Sequence, residues 1–227
     1  MSTSSWKKVW DARKLTAHGS VQEKLIRANG FDSGAGEVDV DRYTHFVNYF
    51  SELINLEPDE SVFEVGCGSG AFLYPLRQNK IGGLDYSKPL IDIANEFIHT
   101  GNFTCNSATT LDTEEQYDHV FSHSVFQYLS LDQAQIVLSR MILKSRKTVS
   151  ILDIPNIEKR EEQENERKKQ FGEDEYNKKY QNLFHTYYSV DFFLNFPRLL
   201  GKNSRKVDTT VMNYSDQDFR FGIVFYL

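Results

Sequence analysis

The sequence predicts an α/β protein with a doubly wound, seven-stranded sheet that is mostly parallel and ends in a C-terminal antiparallel hairpin. Three observations favour this fold class. Strand and helix patterns alternate between residues 61 and 154, and alternating elements of this kind form parallel sheets covered on both faces. A helical pattern precedes the first strand, which predicts an N-terminal helical cap. Two apolar segments at the end of the chain lie close in sequence, which predicts an antiparallel pair.

Each element before residue 155 has its own pattern. From Asp41 the apolar residues recur at helical spacing, and the segment NLEPDE ends this helix. Apolar segments predict five strands, at 61–65, 80–85, 103–106, 118–124 and 147–154. Helices are predicted between them at 69–79, from Ser87 to about His99, and from Ser130, where SLDQ has capping-box spacing. Pro75 should distort or shorten the first of these helices.

The last third of the chain changes character. Residues 158–182 are almost all polar or charged, and Glu164 and Lys168 stand four residues apart, which favours solvated helices over disorder. Ser189 is predicted to cap a short aromatic helix. The segments KVDTTVMNY and FRFGIVFYL then predict the two strands of the hairpin.

Composition and charge exclude several classes of function. The chain has 227 residues, of which 40% are hydrophobic and 26% are charged, as in ordinary soluble domains. The net charge of −6 comes without a basic arm, so we expect no nucleic-acid partner and no membrane partner. Cys67 and Cys105 are too few for a disulfide framework. The N-terminus lacks a signal-peptide pattern, so we expect a cytoplasmic protein. The oligomeric state stays open.

The segment VFEVGCGSG, residues 62–70, predicts a ligand site. Glycine tolerates positive φ and has no side chain, so backbone can approach a ligand closely there. Gly66, Gly68 and Ala71 also satisfy the looser dinucleotide pattern, with Asp85 at the position of its ribose-binding acid. Glu64 would repel a pyrophosphate. It suits S-adenosylmethionine, which carries a sulfonium and an ammonium group and no phosphate.

Four segments in order resemble the motifs of the class I S-adenosylmethionine-dependent methyltransferases. EVGCGSG resembles the first motif, GGLDYS the second, CNSATTL the third and YDHVFSHSVFQYL the fourth. The resemblance implies a Rossmann-like fold and S-adenosyl-L-methionine as cofactor. Carried over to this sequence, it implies cofactor-binding roles for Glu64, Gly66, Cys67, Gly68, Gly70, Asp85, Tyr86, Ser87, Asn106, Ser107, Ala108, Ser122 and His123.

One position departs from the family pattern. Ser107 stands where the third motif usually has an aspartate that binds the adenine amino group. A hydroxyl can accept a hydrogen bond but is neutral. We therefore expect weaker anchoring of the adenine, or compensation by backbone amides.

Methyl transfer requires alignment of the acceptor and, for a hydroxyl acceptor, a base. His123 lies near the end of the predicted fourth strand, where ligands collect in open α/β sheets. His185 precedes the last predicted helix. Both are candidate catalytic residues, with packing as the alternative role. His119 and His123 are about 13 Å apart along one strand and cannot share a metal, so we expect no metal site.

The sequence thus predicts methyl transfer to a small molecule, with an oxygen acceptor on a sugar or secondary metabolite. The alternatives are N-methylation of a small amine, an NAD-dependent oxidoreductase, and a non-catalytic cofactor-binding module. We expect one domain. It is divided into an N-terminal helical cap (1–57), a cofactor-binding core (58–154), a cap insertion (155–188), and the last helix with the hairpin (189–227). Aromatic residues on both sides of the core could pack or form a lid: Trp6, Trp10, Tyr43, Tyr187 and Tyr188.

Overall fold

A computed structural model gives the fold of residues 3–16, 18–31, 37, 39–212, 214 and 216–227. Its centre is a seven-stranded sheet in the order β3-β2-β1-β4-β5-β7-β6. The strands are β1 (Ser61–Val65), β2 (Lys80–Asp85), β3 (Gly101–Cys105), β4 (Tyr117–His123), β5 (Ser145–Pro155), β6 (Asn203–Val207) and β7 (Arg220–Tyr226). Strands β1 to β5 pair in parallel, and β7 lies antiparallel between β5 and β6. The predicted fold class is confirmed.

Eight helices of the described residues surround the sheet. They are α1 (Thr3–Asp11), α2 (Val21–Ala28), α3 (Val40–Leu53), α4 (Lys88–Phe97), α5 (Leu131–Lys144), α6 (Arg160–Phe171), α7 (Glu173–Tyr180) and α8 (Val190–Leu194). The predicted capping box is present, because Ser130 and Gln133 bond each other's backbone N–H groups. Ser189 caps α8 as predicted, accepting from the N–H of Phe192.

The core has one part on each face of the sheet. Val62 of β1 belongs to a cluster with the apolar sides of α3 and α4, whereas Phe63 belongs to a cluster with α5. Successive strand residues point to opposite faces, so the two clusters cover both faces. This arrangement makes the sheet doubly wound and leaves the carboxyl ends of its parallel strands open to a ligand.

Two sequence expectations are wrong. In the continuously described range 39–212, residues 69–79 form consecutive turns and no helix. Bonds from Leu76 N to Leu73 O and from Asn79 N to Leu76 O close short turns, and Pro75 has no N–H to continue a helix. The apolar residues that suggested a helix are buried in these turns.

The other wrong expectation concerns the segment KVDTTVMNY. Strand β6 ends at Val207, and a 3-10 turn at Thr209–Met212 follows it. The two last strands still pair antiparallel, but a longer connection than a tight turn joins them. The GFDSGAGE segment lies mostly outside the described residues. Among the helices described, none is both long and apolar enough to cross a membrane.

Candidate active site at the carboxyl ends of the strands

A cavity of about 810 Å³ lies at the carboxyl ends of the parallel strands. Its wall contains Glu64 from β1, Asp85 from β2, His123 from β4 and Asp153 from β5. Strand β1 lies between β2 and β4, so the strand order reverses beside the cavity. Open α/β sheets bind ligands at this kind of switch point.

The loop after β1 is held from two sides. The N–H groups of Gly66 and Cys67 both donate to the carbonyl of Leu84, at 2.7 and 3.0 Å. From the opposite direction, Asn29 at the end of α2 accepts from the N–H of Ser69 (2.7 Å) and donates to the carbonyl of Cys67 (3.2 Å). The loop therefore has a fixed shape, to which a residue far away in sequence contributes.

Asp85 is buried and already partly bonded. Its Oδ2 accepts from the N–H of Gly68 (3.0 Å) and its Oδ1 from the N–H of Ser87 (2.8 Å). Burial raises the pKa of Asp85 to about 6, although the two backbone bonds oppose this shift. Each carboxylate oxygen can accept more than one bond, so Asp85 can also accept hydroxyl groups from a ligand in the cavity.

Glu64 is 2% exposed, and its Oε2 has no hydrogen-bond partner in the part of the chain that the structure describes. Burial raises the pKa of its carboxyl well above the ordinary value, and the nearby charge of Asp85 adds to the shift. A buried carboxylate without a partner is costly. This carboxylate fits a ligand that brings a positive charge into the cavity.

His123 lies in an aromatic environment. Its ring stacks on Phe31 at 5.5 Å and meets Phe72 edge-on at 5.2 Å. Burial lowers the pKa of its imidazole to about 4, so the ring is neutral near pH 7. Its Nε2 finds no hydrogen-bond partner among the described residues. A neutral imidazole with a spare nitrogen can accept a proton from a molecule in the cavity.

His185 lies in a different part of the wall. Its ring stacks on Trp6 at 4.9 Å, and the Trp6 indole N–H donates to the carbonyl of Phe184 (3.0 Å). On the same helix, Lys7 donates to the carbonyl of Tyr86 (3.2 Å). Helix α1 therefore spans the cavity from the second-motif loop to the segment before α8.

The five aromatic lid candidates have different surroundings. Trp6 and Trp10 both line the cavity. Tyr188 is 1% exposed and donates to the carbonyl of Phe126, so it belongs to the core. Tyr43 is fully buried beside Phe31 and Phe72. Tyr187 lies beneath the guanidinium of Arg160.

Of the thirteen residues that the motifs assign to cofactor binding, eight line the cavity: Glu64, Gly66, Gly68, Asp85, Tyr86, Ser107, Ala108 and His123. Four more are buried beside it, namely Cys67, Gly70, Ser87 and Ser122. Asn106 is exposed and accepts from the N–H of Ser107 (2.8 Å). The Ser107 hydroxyl bonds that of Thr109 (2.9 Å). Direct contact of these side chains with the cofactor stays a prediction.

Sequence reasoning missed a charged group in the wall. Arg220 of β7 donates to Gln127 (2.9 Å) and to the Asp153 carbonyl (3.1 Å). Asp153 also accepts from the hydroxyls of Ser124 and Tyr214. Ser124 and Asp153 have left-handed backbone, with φ of +59° and +57°, which is uncommon outside glycine and asparagine. The one sequence signal that could have found this group is Asp153, an acid at the end of the predicted strand 147–154.

Among the described residues, no three His, Cys, Asp or Glu side chains lie close enough together to hold a metal ion. His119 bonds Thr148 and Glu60, both at 2.8 Å. That pair of bonds holds it at the start of β4, whereas His123 lies at the other end.

Comparison with known proteins identifies the family. Residues 63–144 match the family model described as a methyltransferase domain. The matched segment contains the glycine loop, Asp85 and His123. This match and the shared fold support a class I S-adenosylmethionine-dependent methyltransferase. S-adenosylmethionine is therefore its cofactor, and the unpartnered Glu64 carboxylate and the acceptor capacity of Asp85 fit that molecule.

Relatives of this methyltransferase are distant. A malonyl-[acyl-carrier protein] O-methyltransferase from Ilyobacter polytropus is 26% identical over 128 residues, which cover 51% of this chain and 46% of that protein. An uncharacterized protein from Haemophilus influenzae is 26% identical over 111 residues, covering 45% of this chain and 40% of that protein. The chain thus spans less than half the length of these curated relatives.

Solved methyltransferase structures share the whole fold. Magnesium protoporphyrin IX methyltransferase from Synechocystis, solved with S-adenosylmethionine, superimposes with a TM-score of 0.61 at 12% identity, covering 93% of this chain and 99% of that one. An S-adenosylmethionine-dependent methyltransferase from Clostridium acetobutylicum gives 0.57 at 14% identity, covering 91% and 95%. At these identities the likeness concerns the fold alone.

Proposed function

We propose that this chain transfers the methyl group of S-adenosylmethionine to an oxygen atom of a small molecule. One observation carries the proposal: the buried carboxyl of Glu64, whose Oε2 has no hydrogen-bond partner among the described residues, shares a cavity with Asp85 at the switch point of the sheet. The pair offers one site for a cation and one for hydroxyl groups. S-adenosylmethionine presents both kinds of group.

In this proposal each cofactor-binding residue binds the part of S-adenosylmethionine that matches its own chemistry. Asp85 accepts the ribose hydroxyls, and Glu64 pairs with the ammonium group. The backbone of the loop from Gly66 to Gly68 allows close approach. Tyr86, Ser107 and Ala108 line the cavity beside Asp85 and hold the adenine. When bound there, the cofactor supplies a methyl group on a sulfonium, which is already a good leaving group.

The remaining residues align the acceptor and exclude water. In this proposal His123 receives the acceptor proton at Nε2, and its low pKa keeps the imidazole ring neutral near pH 7. His185, stacked on Trp6, orients the acceptor. The N-terminal cap (1–57) and the cap insertion (155–188) close the cavity from two sides.

The nature of the wall selects among acceptors. Aromatic rings from Trp6, Trp10, Tyr128 and Tyr180 contribute to it. A sugar needs many hydrogen-bonding partners, whereas rings of this kind favour flat, apolar molecules. We therefore favour a secondary metabolite over a sugar. Two similar proteins, an O-methyltransferase of malonyl-[acyl-carrier protein] and a methyltransferase of magnesium protoporphyrin IX, support a small or carrier-bound acceptor.

Calorimetry tests the cofactor part of the proposal. Wild-type protein should bind S-adenosylmethionine and S-adenosylhomocysteine and should not bind NAD. Asp85→Ala should weaken S-adenosylmethionine binding by about tenfold or more, because two charge-assisted bonds are lost. The control is Asp92→Asn, on the exposed side of α4 in a pair with Lys88, which should bind normally. Tight NAD binding would support the oxidoreductase alternative instead.

A transfer assay tests the reaction. Labelled S-adenosylmethionine is incubated with panels of hydroxylated, carboxylated and aminated metabolites, and labelled product is counted. Transfer to oxygen supports the proposal, and transfer only to amines replaces it with N-methylation. Cofactor binding without transfer to any panel member would favour a non-catalytic binding module.

A further inference from the structure

We infer that the methyl acceptor has a flat apolar body and a carboxylate group, and that Arg167 and Arg220 bind this carboxylate. The inference rests on the proposed methyl transfer and names the chemical class of its acceptor. Neither arginine is among the thirteen residues to which the motifs assign cofactor binding.

The two arginines come from distant parts of the chain and meet in the wall. Arg167 lies on α6 and Arg220 at the start of β7, and their side chains are 7% and 5% exposed. Both reach the carboxylate of Asp216, at 2.5 Å from Arg167 and 3.6 Å from Arg220. Buried arginines are uncommon and require partners.

The protein leaves N–H donors of these arginines unused. A guanidinium has five N–H groups. Over the described part of the chain, Arg167 donates a hydrogen bond only from its Nη2, to Asp216, and its guanidinium lies over the Tyr180 ring at 5.5 Å. Arg220 directs Nη1 to Gln127 and Asp153, and its buried Nε has no partner in the described residues. A ligand carboxylate can accept from such donors in a bidentate geometry.

The neighbouring carboxylates do not remove the preference of the two arginines for a ligand carboxylate. Asp153 accepts from Ser124 and Tyr214 as well as from Arg220, so donors already surround its oxygens. Lys179 adds a third cation to the wall. Burial, followed by the charges of Arg167 and Arg220, lowers the pKa of His185 well below its ordinary value. The charges of Arg167 and Arg220 therefore act on the part of the wall that His185 lines.

This anion site is separate from the cofactor acids. Asp85 ends β2 and Arg220 begins β7, and β1, β4 and β5 lie between them in the sheet. Neighbouring strands are about 4.8 Å apart, so four steps separate the two residues by about 19 Å. The acceptor site therefore occupies the β5–β7 side of the cavity, and the cofactor acids occupy the β2–β1 side.

Aromatic rings define the body of the acceptor. The His185 ring stacks on Trp6 at 4.9 Å and meets Tyr180 edge-on at 6.1 Å. Trp10 meets Tyr128 edge-on at 5.8 Å. Rings arranged in this way favour a flat apolar molecule. Together with the arginines, they describe an acceptor such as an aromatic carboxylic acid.

The test compares acids with their amides. Protein saturated with S-adenosylhomocysteine is titrated calorimetrically with 4-hydroxybenzoate, indole-3-acetate, 4-hydroxybenzamide and indole-3-acetamide at constant ionic strength. Titrations use wild type, Arg167→Gln and the control Arg160→Gln, whose residue lies on the same helix with its side chain 54% exposed. Arg167→Lys is added as a variant that keeps the charge facing Asp216.

We expect at least one acid to bind about tenfold or more tightly than its amide in wild type and in Arg160→Gln. The preference should fall below about threefold in Arg167→Gln and be reduced in Arg167→Lys, which lacks the planar fork. The inference is overturned if acids and amides bind equally, or if neither acid binds. It is also overturned if both Arg167 variants keep the wild-type preference for the acid. If the inference fails in one of these ways while S-adenosylhomocysteine still binds normally, the proposed methyl transfer is not contradicted. Failure to bind S-adenosylhomocysteine at all overturns the proposed function and this inference with it.

Discussion

Asn29 occupies the space that a side chain at Gly68 would need. A Cβ added at Gly68 would lie 2.2 Å from Asn29 Oδ1. Gly68 also has a φ of +53°, a conformation that other residues adopt only at a cost. The sequence suggested that this glycine makes room for a ligand. The structure shows that it also makes room for Asn29, which connects α2 to the cofactor loop.

Gly68→Ala should therefore disturb both folding and cofactor binding. The added methyl group must displace Asn29, which removes its bonds to Ser69 and Cys67. We expect S-adenosylhomocysteine affinity to fall by about tenfold or more and unfolding free energy to fall by roughly 1–3 kcal/mol. Calorimetry and urea unfolding measure the two quantities.

Gly172→Ala is the control for Gly68→Ala, since Gly172 has a φ of +79° with nothing within 4 Å of an added Cβ. It should lose some stability and keep its affinity. Asn29→Gly combined with Gly68→Ala should recover part of the lost binding. A double variant no better than Gly68→Ala would mean that Asn29 does not cause the effect.

Asp85 should make cofactor binding depend on pH. Its pKa of about 6 in the folded protein lies above the ordinary value of 3.8, so the folded protein takes up a proton as pH falls through 6. The ionised form costs stability above pH 3.8, and the cost is complete above 6. Only the ionised carboxylate accepts strongly from two hydroxyls. S-adenosylhomocysteine should therefore bind more weakly at pH 5 than at 7.5, by up to about tenfold. Asp85→Asn should bind weakly with a flatter profile, and an identical profile would exclude Asp85 as the titrating group.

Glu64→Gln should separate binding from stability. The raised pKa of Glu64 means that the ionised carboxylate costs stability above pH 4.5, its ordinary value. The amide has no charge to bury, so the free protein should unfold at pH 8 with equal or higher free energy. S-adenosylhomocysteine affinity should fall by about tenfold, because the ammonium loses its partner. A destabilised variant with normal affinity would indicate a structural role for Glu64.

His123 should stay neutral throughout the physiological range. Its pKa of about 4 follows from burial among Phe31, Phe72 and other rings. In an NMR titration the His123 ring signals, assigned by their loss in His123→Phe, should not shift between pH 5.5 and 8. Once an acceptor is known, His123→Phe should lower turnover by roughly 10²–10⁴ with little change in cofactor affinity. Normal turnover would leave His123 a packing role.

Glu60 should stabilise the fold at neutral pH and less in acid. Burial raises its pKa, but hydrogen bonds from the Glu57 backbone, Lys147 and His119 outweigh burial and lower the pKa from 4.5 to about 2. A lowered carboxyl pKa gives stability that is complete above pH 4.5 and lost as pH falls through 2. Glu60→Gln should reduce unfolding free energy at pH 7 by about 1–3 kcal/mol, with a smaller loss at pH 3. Glu115→Gln, which removes an exposed pair with Lys80, should cost less than about 1 kcal/mol. Equal losses at both pH values would contradict the assignment.

The sequence by itself determined the sheet and the cofactor loop of this protein. Each parallel strand is a short apolar segment bounded by turn residues, and its side chains are buried whichever neighbours it meets. The acids Glu64 and Asp85 stand at fixed places relative to those strands. Because the carboxyl ends of parallel strands meet at one edge, their grouping followed from local patterns. The turns of residues 69–79 could not be predicted in the same way. Their buried apolar residues recur at a spacing that resembles that of a helix, although Pro75 interrupts it.

Only the tertiary structure decided which residues form the proposed acceptor site. Asn29 reaches the loop across 40 residues to Ser69, and Arg167 meets Asp216 across 49. Arg167 lies in a run of charged residues whose sequence is that of a solvated helix. A charge pattern does not show which side of such a helix packs inward, because long polar side chains lose little when they stay in water. The side of the helix that packs inward is the side that meets the cavity. The cavity itself is formed by contacts between segments that are distant in sequence.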